Sequence, residues 1–337
     1  MIKVALLSRW HVHADDYARD IQENDNVSIK LVWDEESDRG EKWAKELGVP
    51  FEPDLNNVLS NPNIDAVMVS TPTNMHKEII IAAAKHKKHI FTEKVLAFTV
   101  KDCEEIYQAV HEAGVELMVS LPRLTDNNYL YAEKSIKEGW VGKVTMVRCR
   151  FAHNGGVAPE GQKYGWLPKQ FFNKEQAGGG AMIDLGAHPI YLTNRLAGKA
   201  KGVYARLQKA VGSSVDDNAA LLIDYDTGAL GIIETSFVSQ GSPFQLEVYG
   251  TEGTLRISGD KITINSIHVN DSKQTEMTEA LIALPMPMVQ WIRAIESNET
   301  PTITKEDVIN LTLVNEAASK SNEIGERIDI EKDFRDF

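Results

Sequence analysis

Short apolar runs alternate with helical patterns along the first 120 residues, and this alternation constrains the fold more than any other feature of the chain. The apolar runs cover residues 2–7, 27–33, 66–70, 89–92 and 115–120, and the helical patterns between them cover residues 14–22, 38–47, 77–85 and 100–113. Strands separated by helices pair in parallel, because each helix returns the chain across the sheet. We therefore predict a doubly wound parallel sheet that binds ligands at the carboxyl ends of its strands.

Length and charge restrict the class of protein. The chain has 337 residues, which is more than one hydrophobic core usually supports, so we expect two domains. Its 49 acidic residues outnumber the 36 basic ones, and the net charge is −13. Because no dense Lys/Arg cluster offsets this charge, we expect neither nucleic acid nor an anionic membrane as a partner.

The cysteines and the N-terminus indicate a cellular compartment. Cys103 and Cys149 lack CxxC spacing, so neither a disulfide framework nor a cysteine metal site is expected. The sequence opens directly on a strand pattern, with no basic leader and no segment of membrane-spanning length. These features predict a cytoplasmic protein that is neither exported nor anchored.

The segment GGGAMIDLGAH at residues 178–188 combines a glycine hinge with an acid and a base. Asp184 and His188 are four residues apart, so they share one face if the segment is helical. A carboxylate beside an imidazole fixes the ring tautomer and stabilises the imidazolium, as a proton-abstracting histidine requires near neutral pH. The alternative is a glycine helix cap followed by an ordinary surface pair.

The end of the first strand lacks the glycines of a dinucleotide-binding turn. The fingerprint GxGxxG would place glycines at Ser8, Trp10 and His13, and by this criterion alone a nucleotide site would be rejected. A helix N-terminus can still receive phosphate, with Ser8, Arg9 or His11 as additional donors. Trp10 is expected to place a bulky side chain where the cofactor would lie closest.

The second strand ends at Asp34, where an acidic residue would bind the adenosine ribose of NAD and repel the additional phosphate of NADP. The sequence therefore favours NAD over NADP as the cofactor. An aspartate after a strand can also cap the following helix.

His11 and His13 also form an HxH motif, which at the end of a first strand suggests a metal-dependent hydrolase built on a barrel. That alternative needs further ligands, for which His76 and His188 are candidates, and eight βα units. The second half of the chain instead contains β-rich runs at residues 144–151 and 202–257. We therefore expect no metal ion.

Six segments together resemble the Gfo/Idh/MocA oxidoreductases. They are VSTPTNMHKE at 69–78, TEK at 92–94, KEGWVGKV at 137–144, GGGAMIDLGAH at 178–188, VYGTEGTLRI at 248–257 and SNEIGERIDI at 321–330. The resemblance implies an NAD-binding Rossmann domain at 1–121. It also implies a substrate-binding and oligomerisation domain at 122–337, of α+β class with a large, mostly antiparallel open sheet. A homodimer or homotetramer would form through that sheet.

The resemblance also implies the site residues. Lys94, Asp184 and His188 would form the catalytic group, with His188 as base and Lys94 stabilising the developing alkoxide. The cofactor would further contact Thr71, Pro72, Asn74, His76 and Glu93. Val95 replaces the family's proline after the lysine, so we expect a trans peptide bond there and a changed direction of Lys94.

Several aromatic and polar residues of the second half suit a sugar or cyclitol ring. They are Arg123, His153, Asn154, Tyr164, Trp166 and Tyr191, the last at a position where many relatives carry aspartate. The sequence thus predicts an NAD-dependent dehydrogenase that oxidises a secondary hydroxyl of a sugar, sugar acid or cyclitol. The alternatives are a redox-neutral elimination or deglycosylation that uses NAD transiently, and a regulator that binds dinucleotide without turnover.

Overall fold

The computed structural model describes residues 1–162, 165–278 and 281–334, which form two units. One unit comprises Met1–Ser120 with Pro285–Lys305, and the other comprises Leu121–Leu284 with Glu306–Phe337. The first division lies one residue before the predicted boundary. The return of Pro285–Lys305 to the first unit was not predicted from the sequence.

Strands and helices alternate through the first 120 residues as the apolar pattern predicts. The elements are β1 (Ile2–Leu7), α1 (Ala14–Gln22), β2 (Val27–Trp33), α2 (Ser37–Leu47), α3 (Leu55–Ser60), β3 (Ala66–Val69), α4 (Thr73–Lys85), β4 (His89–Thr92), α5 (Val100–Ala113) and β5 (Leu117–Val119). Local signals set several ends: Thr99 caps α5 by accepting from the Asp102 amide, and Gly114 ends it in a left-handed conformation. The short helix α3 was missed, and α4 begins four residues earlier than its pattern indicated.

The first unit contains a parallel sheet of five described strands in the order β2-β1-β3-β4-β5. This open order confirms the predicted doubly wound sheet and shows that the barrel alternative is wrong. The strand order reverses between β1 and β3, so the loops after these strands diverge at the switch point where such sheets bind ligands. Backbone hydrogen bonds from Ser70 N to Leu7 O (2.9 Å) and from Glu93 N to Val69 O (3.3 Å) hold the three loop origins side by side.

The rest of the chain is richer in strands. Its elements are α6 (Asn127–Lys137), β6 (Val144–Ala152), α7 (Lys174–Ala177), α8 (Ala187–Ala197), β7 (Ala200–Gln208), β8 (Asn218–Tyr225), β9 (Leu230–Ser236), β10 (Gln245–Gly250), β11 (Gly253–Ser258), β12 (Lys261–Ser266), β13 (Thr275–Glu276), α9 (Pro287–Ser297), α10 (Lys305–Ile324), β14 (Ile328–Asp329) and α11 (Ile330–Asp333). Within the described ranges, no helix is both long enough and apolar enough to span a membrane.

The second unit is organised around an open sheet of nine described strands, in the order β13-β12-β11-β10-β6-β9-β8-β7-β14. Its pairs are antiparallel except for β6 with β9, which confirms the predicted mostly antiparallel sheet. Along β8 the side chains of Ala219, Leu221 and Ile223 are buried and alternate with more exposed neighbours, so one face of the sheet forms a core. Helix α8 packs on β6 and β9 at this sheet.

Helix α9 belongs to the first unit because its apolar side chains complete that core. Trp291 is fully buried, and its ring centroid lies 5.7 Å from that of Phe91 on β4. Phe91 in turn contacts Tyr17 of α1 edge to face, at 5.0 Å. A sequence reading by segments could not reveal this contact, since about 200 residues separate its partners (291 − 91).

Truncating Trp291 is expected to destabilise the protein strongly. Trp291→Ala leaves a cavity against Phe91 and should lower the free energy of unfolding by about 3–5 kcal/mol. Urea unfolding followed by fluorescence measures this change. The control is Ile282→Ala, whose side chain is 91% exposed and which should change stability by less than about 0.5 kcal/mol. Similar stabilities of the two variants would contradict the packing argument.

Candidate active site

Ser8 supplies the turn that the missing first glycine would make. Its φ is 75°, in the left-handed region that glycine favours, and the residue is fully buried. The Ser8 amide donates to Trp33 O (2.7 Å), and its hydroxyl oxygen accepts from the Trp10 amide (3.1 Å). These contacts keep the turn tight without glycine, so rejecting a nucleotide site from the fingerprint alone was wrong.

Trp10 does not project from this turn. Its side chain is only 4% exposed, which places the indole within the protein interior. The chain continues from the turn to α1, whose first backbone N–H groups and dipole favour an anion. The turn, the buried indole and the helix start therefore fit the pyrophosphate of a dinucleotide.

Asp34 is held by an arginine that the sequence analysis missed. Arg39 on α2 donates from Nε to Oδ2 (2.9 Å) and from a terminal nitrogen to Oδ1 (2.7 Å) of the Asp34 carboxylate. The same carboxylate accepts from the amides of Arg9 (2.9 Å) and Glu36 (2.8 Å), and its side chain is fully buried. Asp34 thus joins the ends of β1 and β2, and its charge is compensated. In the sequence, the pair is indicated by a basic residue five positions after Asp34.

Arg9 lies at the rim of this turn, where its guanidinium is bound to acidic side chains. It pairs with Asp15 (2.9 Å) and Glu46 (2.7 Å) and lies 5.8 Å from the centroid of Trp43. Thr71 and Pro72 after β3 are buried, whereas Asn74 in the first turn of α4 is exposed.

His76 connects two loops of the first unit. It is almost fully buried, and its ring nitrogens lie 3.2 Å from Thr71 O on one side and from Val95 O and Leu96 O on the other. Burial lowers the pKa of His76 below its ordinary value, which favours the neutral ring. These backbone contacts occupy the ring as a structural link, so His76 is not available as the metal ligand considered above.

The peptide bond between Lys94 and Val95 is cis, so the trans bond expected from the missing proline is wrong. The trans bond was expected only because valine replaces proline at this position. Val95 and the following Leu96 are buried, and the carbonyl oxygen of each lies 3.2 Å from Nδ1 of His76.

Glu93 lies in a buried polar cluster at the end of β4. Its carboxylate accepts from the Tyr17 hydroxyl and from the Lys94 amide (2.9 Å), and Oε1 lies 3.5 Å from Nδ1 of His11. Burial acts to raise the pKa of Glu93, but the charges of His11, His13 and Lys94 lower it below its ordinary value. Glu93 therefore carries its charge at neutral pH. No sequence pattern indicated that Tyr17, in the middle of α1, would contact Glu93.

In the second unit, the glycine-rich segment is held by Asp216, another residue that the sequence analysis missed. The buried Asp216 carboxylate accepts from the amides of Gly180 (3.0 Å) and Met182 (2.7 Å). A Cβ atom at Gly180 would lie 1.8 Å from the Asp216 carbonyl oxygen, so only glycine fits there. The resulting chain of turns continues to Gly186, and α8 begins at Ala187.

Asp184 therefore precedes the helix, and the argument that it shares a helical face with His188 is wrong. His188 lies in the first turn of α8, and its Nδ1 is 2.8 Å from the Tyr191 hydroxyl. Tyr191 is fully buried, and its oxygen also accepts from the Arg123 amide at 3.3 Å. Phe151 of β6 meets the His188 ring edge to face, with centroids 5.3 Å apart. The imidazole is thus oriented by a buried phenol and an aromatic ring.

Arg123 belongs to the same group. It lies in a short 3-10 helix, Pro122–Thr125, and its guanidinium carbon is 4.2 Å from the Phe151 centroid and 5.4 Å from that of Phe244. A cavity of about 280 Å³ opens beside it, close to the lower size limit of small-molecule sites, about 300 Å³. The cavity is lined by Arg123, Asp126, Asn127, Asn128, Tyr129, Leu192, Phe244, Gly259 and Asp260.

The other predicted substrate residues form a second group. The His153 ring stacks on Phe237 at 5.2 Å and lies 4.7 Å from the ring of Trp166. Trp166 donates to the Asn154 side-chain oxygen (3.2 Å) and is 61% exposed, which makes it an accessible aromatic face. Tyr164 lies outside the described residues.

Comparison with known proteins identifies the family. The family model described as "Oxidoreductase family, NAD-binding Rossmann fold" matches residues 11–121, and the "GFO/IDH/MocA C-terminal domain" matches residues 129–256. The scyllo-inositol 2-dehydrogenase (NAD(+)) of Bacillus subtilis is 30% identical over 302 residues, which cover 85% of this chain and 84% of that protein. The chain belongs to the Gfo/Idh/MocA family of oxidoreductases.

Two further comparisons extend over nearly the whole of this Gfo/Idh/MocA chain. Myo-inositol 2-dehydrogenase of Thermotoga maritima is 25% identical over 332 residues, covering 94% of this chain and 95% of that protein. The solved structure of levoglucosan dehydrogenase in complex with NADH and levoglucosan matches with a TM-score of 0.83 at 22% identity, covering 97% of this chain and 98% of that chain. The family's Rossmann domain is NAD-binding, which agrees with the cofactor predicted from the sequence.

The buried histidine of the first unit should make stability depend on pH. His76 has a lowered pKa in the folded protein, whereas the unfolded chain gains a proton near the ordinary value of 6.5. The free energy of unfolding should therefore fall as the pH drops below about 6.5. In His76→Asn this fall should be smaller. Urea unfolding at about pH 7.5 and about pH 5.5 measures both slopes.

The matched control for this experiment is His111→Asn, a substitution at an exposed position in the last turn of α5. It should keep the slope of the unmodified protein. Equal slopes for His76→Asn and the unmodified protein would show that His76 does not contribute to the pH dependence.

Proposed function

We propose that the protein is an NAD-dependent dehydrogenase that oxidises a secondary hydroxyl of a sugar, sugar acid or cyclitol. Membership of an oxidoreductase family with an NAD-binding domain supports this reaction. The relatives named as inositol dehydrogenases and as levoglucosan dehydrogenase support the substrate class. At residue level the proposal depends on one observation, the hydrogen bond between His188 Nδ1 and the buried Tyr191 hydroxyl.

His188 is proposed as the base. In the tautomer that donates Nδ1–H to Tyr191, Nε2 carries the lone pair that accepts the substrate's hydroxyl proton. Burial raises the pKa of the Tyr191 hydroxyl, so the phenol stays protonated and orients the ring without adding a negative charge. Tyr191 thus acts as a positioning residue, because full burial separates it from substrate.

Lys94 and Asp184 complete the proposed catalytic group. Lys94, at the end of β4, would donate to the reacting oxygen and stabilise its developing charge. Asp184, in the turn before α8, would favour the imidazolium that forms when His188 takes the proton. The backbone of both residues is fixed locally, through the Lys94 amide bond to Glu93 and the Asp184 amide bond to Gly180 O (3.1 Å).

The cofactor is proposed to lie along the carboxyl ends of β1 to β4. The turn at Ser8 and the start of α1 would receive the pyrophosphate, and the loop held by the buried pair of Asp34 and Arg39 would receive the adenosine ribose. Other candidate contacts come from Arg9, the backbone of Trp10, His11, Thr71, Pro72, Asn74, Glu93 and Lys94, and the buried His76 would support the loop at Thr71. Bound NAD⁺ supplies the hydride acceptor when the carbinol carbon is oxidised.

For the substrate we propose Arg123 and the accessible face of Trp166 as contacts, with His153 and Asn154 behind that indole. An aromatic face binds the apolar side of a sugar ring, and charged or amide groups read its hydroxyls. The cytoplasmic location and the homo-oligomer remain predictions. Exposed apolar side chains on β7, β8 and β9, those of Tyr204, Leu222 and Leu230, support an interface on that sheet.

Removal of the proposed base should abolish most turnover. His188→Asn is expected to lower kcat for NADH formation by about 100-fold or more, because general base catalysis typically contributes that much. Tyr191→Phe should lower kcat by about tenfold with little change in KM, since it removes one hydrogen bond to the base. NADH absorbance with inositol isomers, levoglucosan and common monosaccharides as substrates measures both.

His268→Asn is the control in the second unit, where the partly exposed ring contacts Glu252; it should retain full activity. Unchanged turnover in His188→Asn would overturn the assignment of the base. Substrate conversion without net NADH, detected by mass spectrometry, would favour the redox-neutral alternative. NAD⁺ binding with no conversion of any substrate, in the unmodified protein as well, would favour a regulator.

Asp34 should contribute to the preference for NAD⁺ over NADP⁺. Asp34→Asn is expected to weaken NAD⁺ binding about tenfold, because the neutral amide no longer holds Arg39 and the loop beside the ribose, and to reduce discrimination against NADP⁺, because the released Arg39 can pair with the additional phosphate. Calorimetric titration with both dinucleotides measures this change. Asp38→Asn, at an exposed position in the first turn of helix α2, serves as the control. Unchanged binding of both dinucleotides to Asp34→Asn would show that its carboxylate serves only the structure around Arg39.

A further inference from the structure

Three potential metal ligands converge near the end of β1. One ring nitrogen each from His11 and His13 and one carboxylate oxygen of Glu93 lie within 4.8 Å of one another, as found among the described residues. His11 and Glu93 are buried and His13 is exposed, so the group spans the surface of the first unit. The group does not require the barrel that the sequence analysis considered for the HxH motif.

The contact between His11 and Glu93 already has a suitable separation for a shared ion. Nδ1 of His11 lies 3.5 Å from Oε1 of Glu93, and two ligands of a tetrahedral zinc site lie about 3.4 Å apart. The His13 amide donates to the same Nδ1 (3.3 Å), so this nitrogen presents a lone pair, and an ion bound there would take that lone pair in place of the long amide contact. A carboxylate oxygen is also an acceptor, and a cation between two acceptors is attracted by both.

His13 is prepared for the same role by a neighbouring acid. Its Nδ1 lies 3.1 Å from Oδ2 of Asp16, one turn along the chain. Donation of Nδ1–H to a carboxylate leaves the lone pair on Nε2, as is usual for histidines that bind metals. The His13 side chain is 49% exposed, so its ring is free to rotate toward the other two ligands.

Glu93 is a charged group in the interior, and such groups require compensation. Tyr17 donates to its Oε1, and the Tyr17 oxygen accepts from the Ser120 hydroxyl (2.9 Å). The phenol therefore orients the carboxylate in the way that outer contacts orient the ligands of a metal site.

We propose that His11, His13 and Glu93 form a binding site for a divalent transition-metal ion of the zinc class. Two imidazoles and one carboxylate suit Zn²⁺, Co²⁺ or Ni²⁺, whereas Mg²⁺ and Ca²⁺ prefer oxygen ligands alone. Three protein ligands leave at least one coordination position for water or another small ligand. The ligands lie within the first unit and bind the ion without substrate, so the proposal does not rest on the dehydrogenase function. Because His11 and Glu93 are also candidate cofactor contacts, the ion and the dinucleotide would compete for them.

The test is Co²⁺ binding to the full-length protein after treatment with a chelator, read by the visible spectrum of the ion and by calorimetry. The unmodified protein should bind one equivalent with a spectrum typical of nitrogen and oxygen ligands, and Zn²⁺ should displace it. His13→Ala and Glu93→Gln should each weaken binding by at least about tenfold, and Asp16→Asn by about tenfold. Millimolar Mg²⁺ should not compete.

His86→Ala, at the exposed end of α4, is the control and should bind Co²⁺ like the unmodified protein. Because His13 is half-exposed, His13→Ala should fold normally, and its melting temperature without metal verifies this. Absence of a stoichiometric Co²⁺ spectrum in the unmodified protein would overturn the proposal and leave the group as a network of ion pairs. Equal affinity in folded His13→Ala would also overturn it.

Discussion

Buried carboxylates that accept backbone N–H groups determine the shape of the loops on which the functional proposals depend. A buried amide without a partner is costly, and a buried carboxylate is costlier still, so each stabilises the other. In this protein Asp34, Glu93 and Asp216 meet this condition with the amides of Arg9, Lys94 and Gly180, respectively. The turn at Ser8, the lysine after β4 and the glycine segment before α8 are therefore fixed by tertiary hydrogen bonds as well as by their own sequences.

Much of the fold could be predicted from the sequence because its signals are local. The alternation of apolar and helical patterns gave β1, α1 and β2 with their observed ends, since strand and helix periods are read within a few residues. The partner of α9 could not be read in this way. Trp291 and Phe91 meet only because the chain returns to the first sheet, and no pattern within α9 specifies that sheet.

Two of the errors at the candidate site share one physical cause, which is that spacing rules assume a regular backbone. Ser8 adopts a left-handed φ, which the GxGxxG fingerprint assigns to glycine, and its hydroxyl and amide both form hydrogen bonds that stabilise this conformation. Asp184 is four residues from His188, but Asp216 holds the preceding segment at Gly180 and Met182, and the chain continues in turns to Gly186, so the helical rule fails. Tyr191 was recognised as important, yet only its burial and its contact with the His188 ring distinguish positioning from substrate binding.

The return of α9 means that the chain passes between the two units at three points, after residues 120, 284 and 305. A gene fragment ending at residue 121 would therefore encode a sheet without its covering helix, with Phe91 deprived of the Trp291 indole. Recombination that exchanged only the N-terminal half between two relatives would pair a sheet from one parent with a helix from the other. The two surfaces must consequently change together during evolution, although 200 residues of sequence separate them (291 − 91).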